Sequence, residues 1–595
     1  MKKSRSMALV FSLAFFFIVS PLSSVKAAGK MLPSGLAYGD LPAAIEAYVS
    51  NHEKTTCGLN VIVYDRDETI YENSFGYANK ESNLLSNANT VYEWGSISKL
   101  MVWVSVMQLY EEGKLDLKAD IQNYLPEGFL TNLRFDKPIT MIDLMNHQAG
   151  FQDTYFIQTA DMFELTSLEE ALRTRQPKQV YAPGEHTAYS NWGAALAAYI
   201  VQRISGMDYV NYVHEHIFEP LHMEHTSINP TYGDNEWVHD HRLKLKCYDS
   251  DGEPIGGAGL YYILLYPAGS AAGTIGDLAK FARALTPDEK RPSPLFKKQA
   301  TLKEMETPTG FYGSTDVEKN LHGLFASYYG IETLGHGGNT FGCSSMLQFD
   351  PVSGVGMVLA TNQAFETIYN DDMYELVYGK FADSTLARMK REVPKGLLLN
   401  TRGIIEGPLS FLGAVSVAAY SEEDLDHWWY EEDGTVETPF SDFTLSTVQA
   451  IANLTCMVLF ILAGLYGFVK IVVGGLIMDP LRKKKGLLSV ERLRKHAYAL
   501  SGLMALALVN LVVLLARLGT GYRTGDIGSP VSYMIQSALF GALVFFMAIL
   551  LLTAKRNAYK KATRKERRKF LITALLAVVQ CMVIVNFEMY KFWAI

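Results

Sequence analysis

The stretch Trp94-Gly95-Ser96-Ile97-Ser98-Lys99 leads into a mostly apolar run that Gly113 closes. Residues 98–112 therefore predict a buried helix. If Ser96 opens this helix, Lys99 lies one turn later on the same face, with its ammonium group near the hydroxyl. A serine hydroxyl needs a neighbour that accepts its proton, and a lysine in a partly dry cleft can do so. Because Ser23-Ser24-Val25-Lys26 has the same spacing, the spacing alone does not identify a site.

Composition divides the chain into an acidic part and an apolar, basic part. The 595 residues exceed one ordinary domain, and 49% of them are hydrophobic, which favours membrane segments. Residues 28–447 contain 57 Asp and Glu against 30 Lys and Arg. From residue 448 onward there are 20 Lys and Arg against 5 Asp and Glu. An acidic region of this size argues against nucleic acid as a partner.

Both ends of the chain carry apolar segments typical of export and of membranes. Residues 1–27 have basic residues, a short apolar run and then small residues, which predicts a secretory signal peptide. An uncleaved anchor is the alternative. Each of four later segments is near the 20 or so residues that a membrane helix needs. These predicted transmembrane helices span about 448–469, 497–516, 531–552 and 570–587.

The loops between the predicted spans decide their orientation. The first loop, at 482–495, and the third, at 555–569, are rich in Lys and Arg, whereas the second holds only Arg523 with Arg517 at its edge. Basic loops stay on the cytoplasmic side. The first span then runs inward, which places residues 28–447 outside the cell, as a signal peptide also requires. The chain is therefore expected to be a multi-pass protein of a bacterial cell membrane, in contact with the lipid bilayer.

The exported region is expected to contain one domain and a linker. Residues 28–382 alternate strand and helix patterns, with an antiparallel pair at 58–64 and 69–76 and a closing hairpin at 344–349 and 354–360. Strands at both ends with helices between them predict an α+β fold, a sheet flanked by helices plus an all-helical subdomain. Residues 383–447 are expected to be a membrane-proximal linker. Trp428 and Trp429 could rest at the membrane interface, and packing of the linker is favoured over a dedicated function.

Three further motifs match what Ser96 and Lys99 would need. Tyr189-Ser190-Asn191 follows Pro183-Gly184, although Tyr-x-Asn also occurs elsewhere in the chain. In Gly335-His336-Gly337-Gly338-Asn339 the glycines would let a substrate lie against a strand edge. Asn146-His147-Gln148 follows a short predicted helix, and His147 alone favours a structural, hydrogen-bonded role. The histidines from 214 to 241 lack a zinc-binding spacing, so neither a metal nor a cofactor is expected.

Taken together, these motifs resemble the penicillin-recognising serine hydrolases, in particular the class C β-lactamase branch. The resemblance covers about residues 41–363 and includes Glu112-Gly113-Lys114-Leu115 and Ile217-Phe218-Glu219-Pro220-Leu221 in the family's order. It implies a β-lactamase/DD-peptidase-like fold. The four-span region and the linker are additions to that domain.

The resemblance implies a role for each motif residue. Ser96 would be the nucleophile, Lys99 its proton acceptor, and Tyr189 a proton shuttle to the leaving group. Asn191, His336 and Gly338 would bind substrate, and the backbone N–H groups of Ser96 and Asn339 would form the oxyanion hole. Many family members have Lys where this chain has His336, and histidine is only partly charged near neutral pH. This departure weakens a β-lactamase reading.

The expected function is a membrane-anchored serine hydrolase that forms an acyl-serine intermediate. Its substrate would be a D-amino-acid peptide or an ester, plausibly derived from the cell wall, as in D-alanyl-D-alanine carboxypeptidases, penicillin-binding proteins or esterases. One alternative is a receptor for penicillin or a wall fragment that acylates without efficient turnover. Another is a scaffold that no longer turns over, against which the intact motif set argues.

Overall fold

The computed structural model describes residues 30–154, 157–255, 260–389, 396–415, 417–418, 429–431, 433–486, 493–524 and 529–595. The expected signal peptide, residues 1–27, lies outside these ranges, as does Trp428. The described chain forms an α+β domain, a smaller sheet that follows it and a helical bundle at the C-terminal end.

An antiparallel sheet, of nine strands in the described residues, organises the α+β domain. The strands are β1 (Gly58–Tyr64), β2 (Thr69–Asn79), β3 (Leu84–Leu85), β4 (Gly310–Phe311), β5 (Glu318–Leu321), β6 (Leu324–Tyr328), β7 (Glu332–Asn339), β8 (Ser344–Phe349) and β9 (Gly356–Thr361). Their order across the sheet is β3-β2-β1-β9-β8-β7-β6-β5-β4. The predicted β1–β2 pair and the closing β8–β9 hairpin are both confirmed.

Helices cover both faces of this sheet. They are α1 (Leu41–Asn51), α2 (Ser98–Glu111), α3 (Met141–Met145), α4 (Leu168–Thr174), α5 (Asn191–Ser205), α6 (Tyr209–Val213), α7 (Glu236–Arg242), α8 (Ile275–Ala284), α9 (Gln299–Met305), α10 (Glu375–Tyr378) and α11 (Thr385–Arg388). Alternate residues of β1 enter two cores: Val61 packs with α1, and Ile62 packs on the side of α2, α5 and α8. Because both faces are covered, β1 is buried along its whole length. The predicted α+β class is confirmed.

The segment expected to be a linker is folded where the structure describes it. The described residues between 396 and 445, named here the bridging segment, contain helix α12 (Ser410–Val415) and a sheet of β10 (Leu398–Asn400), β11 (Val417–Ala418), β12 (Trp429–Tyr430), β13 (Val436–Glu437) and β14 (Asp442–Leu445). Trp429 is buried beside Tyr312 of the α+β domain. The expectation that Trp429 could rest at a membrane interface is therefore wrong, because packing against the domain removes its ring from solvent.

The C-terminal bundle contains, within the described ranges, four helices long and apolar enough to cross a membrane. They are α13 (Thr447–Val469, continuing to Lys484), α14 (Arg494–Thr524), α15 (Pro530–Thr553) and α16 (Arg564–Asn586). They overlap the four predicted spans. Large apolar side chains such as Leu462, Phe545 and Met582 are exposed around the bundle. Such a surface is more favourable in lipid than in water.

The bridging segment also contacts the bundle. The Gly407 N–H donates to Glu588 Oε2 at 3.0 Å, and Ser410 Oγ donates to the Phe587 carbonyl oxygen at 2.8 Å. Leu409 and Phe411 belong to the same apolar cluster as the bundle helices. The bridging segment therefore joins the α+β domain to one end of the bundle.

Candidate active site

The turn that opens α2 brings Ser96 and Lys99 together. Gly95–Ile97 form a 3₁₀ turn and α2 begins at Ser98, so Lys99 lies in the first turn of the helix. Lys99 Nζ is 3.0 Å from Ser96 Oγ. It also lies 2.8 Å from Asn191 Oδ1 and 2.6 Å from the Ala268 carbonyl oxygen. Asn191 reaches this point because it is the first residue of α5, which packs beside α2.

The surroundings of Lys99 favour its neutral form. Lys99 is fully buried. Burial, and then the positive charge of Arg402, lower the pKa of Lys99 well below its usual value of 10.5. As a neutral amine, Lys99 can accept the Ser96 hydroxyl proton while it donates to Asn191 and Ala268. The arrangement thus supplies a nucleophile with an adjacent base.

Tyr189 stands beside this pair. Lys99 Nζ lies 4.8 Å from the centre of the Tyr189 ring. Burial raises the pKa of the Tyr189 phenol. The phenol is therefore protonated at neutral pH and can donate a proton to a leaving group.

His147 supports the Tyr189 ring. The two ring centres are 4.3 Å apart, and His147 Nδ1 accepts the Ser190 N–H at 3.2 Å. Burial lowers the pKa of His147 well below 6.5, as do the charges of nearby groups, Lys99 first. A neutral imidazole that accepts a backbone N–H agrees with the structural role that the sequence favours for this residue.

Two glycines let β7 lie against the nucleophile turn. A Cβ on Gly338 would come within 2.0 Å of the Trp94 carbonyl oxygen and 3.0 Å of the Ser96 nitrogen. A Cβ on Gly95, whose φ is +51°, would meet the Asn339 nitrogen at 2.8 Å. Only glycine permits this approach. It brings the backbones around Ser96 and Asn339 close together, where two N–H groups could serve one substrate oxygen.

His336 differs from its expected electrostatic state. The sequence predicts a partly charged imidazole that could meet a substrate carboxylate. The structure buries His336 in β7, and burial, followed by the charge of Lys99, lowers its pKa to about 3. The ring is therefore neutral near pH 7. The neutral ring differs from the expected partial charge because burial removes the water that would solvate an imidazolium.

Arg402 of the bridging segment is a cleft residue that sequence reasoning missed. Its guanidinium carbon lies 4.9 Å from the centre of the Tyr189 ring, and its Nε lies 3.0 Å from Asp153 Oδ2. About a third of the Arg402 side chain stays exposed, and it lines the cleft. It lies more than 300 residues after Ser96 and outside every motif of the site. The sequence signal available was a lone Arg following the apolar run 397–399.

The backbone of the bridging segment also pairs with the strand-like residues that precede Asn191. The Tyr189 N–H donates to the Phe440 carbonyl oxygen at 2.9 Å, and the Thr187 N–H donates to Asp442 Oδ2 at 2.7 Å. Lys319 Nζ of β5 reaches Glu437 at 2.7 Å and Asp442 at 3.4 Å. These buried contacts fix the bridging segment against the side of the cleft that carries Tyr189.

The predicted site residues thus meet in one cleft of about 520 Å³, whose lining includes Ser96, Tyr189, Asn191, His336, Gly338 and Asn339. Lys99 lies beneath its floor, in contact with Ser96 and Asn191. Among the described residues, no three His, Cys, Asp or Glu side chains come together as metal ligands.

A Ser-x-x-Lys turn at the start of a buried helix, facing a Tyr-x-Asn loop and an antiparallel sheet, defines the β-lactamase/DD-peptidase class of fold. A family model described as Beta-lactamase matches residues 43–377, more than half of the chain. The chain therefore belongs to the beta-lactamase family, a family of serine hydrolases.

Curated relatives match a shorter stretch. "Protein flp" of Staphylococcus aureus (strain N315) is 24% identical over 184 residues, which cover 31% of this chain and 36% of that protein. "Penicillin-binding protein 4*" of Bacillus subtilis (strain 168) is 27% identical over 181 residues, which cover 30% of this chain and 39% of that protein. The chain thus spans between a third and two-fifths of the length of these relatives.

Solved structures align with a larger share of the chain. The D-amino acid amidase from Ochrobactrum anthropi SV3 in complex with D-phenylalanine is 25% identical, covers 57% of this chain and 97% of its own, and has a TM-score of 0.46. EstCE1, a hydrolase with promiscuous acyltransferase activity, is 20% identical, covers 57% and 99%, and has a TM-score of 0.47.

Proposed function

We propose that this chain is a membrane-anchored serine hydrolase that acts outside the cell through an acyl-serine intermediate. Its acyl donors would be D-amino-acid peptides or esters. The observation that carries the proposal is the 3.0 Å contact between Ser96 Oγ and a buried Lys99 whose pKa is lowered. Membership of a serine hydrolase family agrees with it.

The chemistry follows from the positions of these groups. Ser96 Oγ would attack the carbonyl carbon as its proton passes to Lys99, and the N–H groups of Ser96 and Asn339 would hold the oxyanion. The carbonyl–leaving-group bond then breaks, and the leaving group takes up a proton through Tyr189. Asn191, His336 and Gly338 would position the substrate. Water would attack the acyl-serine in the second half-reaction, which releases the acid and restores Ser96.

The outward orientation is supported by charge. The basic stretches near 482–485 and 555–569 lie in the connections of the bundle, and the positive-inside rule assigns both to the cytoplasm. The bridging segment and the α+β domain precede α13 in the chain and so lie on the other side.

Two observations favour a second candidate, a receptor that is acylated slowly. The bridging segment contacts Tyr189 at one end and continues into α13 at the other, so a change at the cleft could reach the membrane helices. In addition, Glu366, a carboxyl that lines the cleft, already accepts the N–H groups of Tyr369 and Asn370. These bonds hold it away from activating a deacylating water.

The test uses the full-length protein in detergent with a fluorescent penicillin and a chromogenic ester. Ser96→Ala is compared with Ser353→Ala, an exposed serine in the β8–β9 turn. Turnover that is lost in Ser96→Ala alone supports the hydrolase. Stable Ser96-dependent labelling without turnover favours the receptor. Equal activity in Ser96→Ala and the parent protein would reject both.

A further inference from the structure

A second cavity opens from the active-site cleft toward the membrane helices. It has a volume of about 700 Å³ and shares Asn191, Asn339 and Arg402 with the cleft. Its lining also includes apolar side chains from three separate parts of the chain: Phe341, Leu412, Leu515 and Leu518, together with Phe365, which borders the cleft as well. These five residues are named here the apolar wall. The space beside Ser96 is therefore continuous with a surface built partly from a candidate membrane span.

The position of Leu515 and Leu518 along α14 shows how far the apolar wall lies from the end of that helix. Both lie in the last turns of the helix, at the end opposite its basic start at Arg494 and Lys495. At 1.5 Å per residue, Leu518 is about 9 Å from the end of α14 at Thr524. If the end of α14 lies at the outer surface of the headgroup layer, that distance reaches the boundary between lipid headgroups and acyl chains.

Aromatic and cationic side chains mark the same level. Arg517, on the same turn as Leu518, lies over the ring of Tyr533 and donates to Gln536 Oε1 at 2.8 Å. Trp593 is exposed near the start of α15, beside Pro530. Tyr, Trp and Arg are typical of the membrane interface. The cavity thus opens where a bilayer surrounding the bundle would present lipid tails.

Exposure of the wall agrees with a ligand that comes from lipid. Phe365 is 49% exposed and Leu515 is 43% exposed, although both border a cavity that also contains Arg402 and Asn191. A small polar peptide would leave this apolar surface in water. An alkyl chain would cover it, and each buried methylene adds about 0.8 kcal/mol.

We propose that the acyl donor is a membrane-held amphiphile, with its ester or amide beside Ser96 and its alkyl chain along the apolar wall. This inference rests on the proposed hydrolase and names the substrate class of the same site. The polar end of the molecule lies toward Asn191 and Arg402. The chain enters from the bilayer past Leu515 and Leu518, so the substrate need not leave the membrane to react.

The test measures kcat/KM for the full-length protein in lipid nanodiscs with two series of esters. One series is p-nitrophenyl esters with acyl chains of two to ten carbons. The other is alkyl esters of D-alanine of matching length, all used below their critical micelle concentrations. We expect at least a tenfold rise between four and eight carbons in one of the series, since full burial of a methylene is worth about fourfold.

Variants separate the wall from unspecific partition into the bilayer. Leu515→Trp and Leu518→Trp fill the cavity, whereas Val512→Trp adds the same ring on an exposed position of α14 outside the cavity lining. Leu515→Trp and Leu518→Trp should lose most of the rise in kcat/KM with chain length and keep the kcat/KM of the two-carbon ester. Val512→Trp should keep both.

The outcomes distinguish this inference from the function on which it rests. Ser96-dependent hydrolysis of short esters, with no rise along either series, would overturn the amphiphile and leave the hydrolase in place. A rise that Leu515→Trp and Leu518→Trp leave intact would also overturn it. Failure to hydrolyse the short esters would count against the proposed hydrolase itself.

Discussion

The α+β domain and the bridging segment border the same cleft but are built differently. The domain places its reactive atoms on long elements fixed in a core, such as Lys99 on α2. The bridging segment reaches the cleft from strands of two to four residues and contributes a charge, Arg402, and a backbone that pairs with Tyr189. In the proposed function, the reacting groups therefore belong to the shared family fold, and the added segment contributes a charge and one side of the cleft.

The largest effect should come from removing the base in the domain. Lys99→Met is expected to lower kcat/KM for a chromogenic ester by about a thousandfold, because Ser96 loses its proton acceptor. Lys114→Met, at an exposed surface position, should leave the rate unchanged. A loss of less than tenfold in Lys99→Met would contradict the proposal that the α+β domain supplies the base.

The next effect should come from the ion pairs that hold the bridging segment. Lys319→Met removes the cation beside the buried carboxylates of Glu437 and Asp442 and leaves only His186, 3.7 Å from Asp442, which is expected to cost about 3–5 kcal/mol. Thermal unfolding of the full-length protein in detergent measures this loss as a lower Tm. Lys303→Met, on an exposed part of α9, is the control. A Tm equal to that of the control would show that the segment is not held by these pairs.

Arg402→Gln tests the electrostatic contribution of the bridging segment. Arg402 lowers the pKa of Lys99, and in the proposed reaction it is the neutral lysine that accepts the serine proton. Removing the charge should raise that pKa, so the acid limb of the kcat/KM profile moves to higher pH. For a substrate with a free carboxylate, KM should also rise about tenfold, the worth of one charged hydrogen bond.

Two controls accompany this prediction. Arg203→Gln, at an exposed position of α5, should leave the profile in place. A neutral ester should show the shifted limb without the change in KM. If Arg402→Gln alters neither the profile nor KM, the bridging segment has no electrostatic role at the cleft.

The smallest effect concerns acid stability of the domain. The folded state keeps His147 and His336 neutral, with the pKa of His336 near 3, whereas an unfolded histidine titrates near 6.5. The stability that these two histidines contribute is therefore complete above about pH 6.5 and falls as pH drops below it, by about 1.4 kcal/mol per pH unit for each histidine. Tm measured between pH 7.5 and 5.5 checks this.

Between pH 7.5 and 5.5, His336→Asn should lose less stability than the parent protein, by the contribution of one histidine. His239→Asn, a matched change at an exposed position of α7, should leave the slope as it was. Equal slopes in His336→Asn and the parent protein would mean that His336 is accessible to protons in the folded state.

Sequence reasoning succeeded where local periodicity or motif spacing carries the information. The Ser96–Lys99 contact follows from helical geometry, and α3 and the β8–β9 hairpin lie where the pattern predicts them. It failed at the bridging segment, because strands of two to four residues produce no measurable periodicity. Arg402 could not be placed by pattern, since its position depends on Asp153 and on pairing between residues 187–189 and 440–442, which are distant in the sequence.

Ser446 is the single residue between the end of β14 and the start of α13. A junction of one residue leaves the cleft little freedom to move relative to the bundle. With the bundle in a membrane, as proposed, the cleft would stay at one fixed height above the bilayer and would not reach cell-wall polymers farther out. For the proposed membrane-held substrate the rate would then depend on how many substrate molecules share the membrane surface and how fast they diffuse along it, and little on their concentration in the surrounding medium.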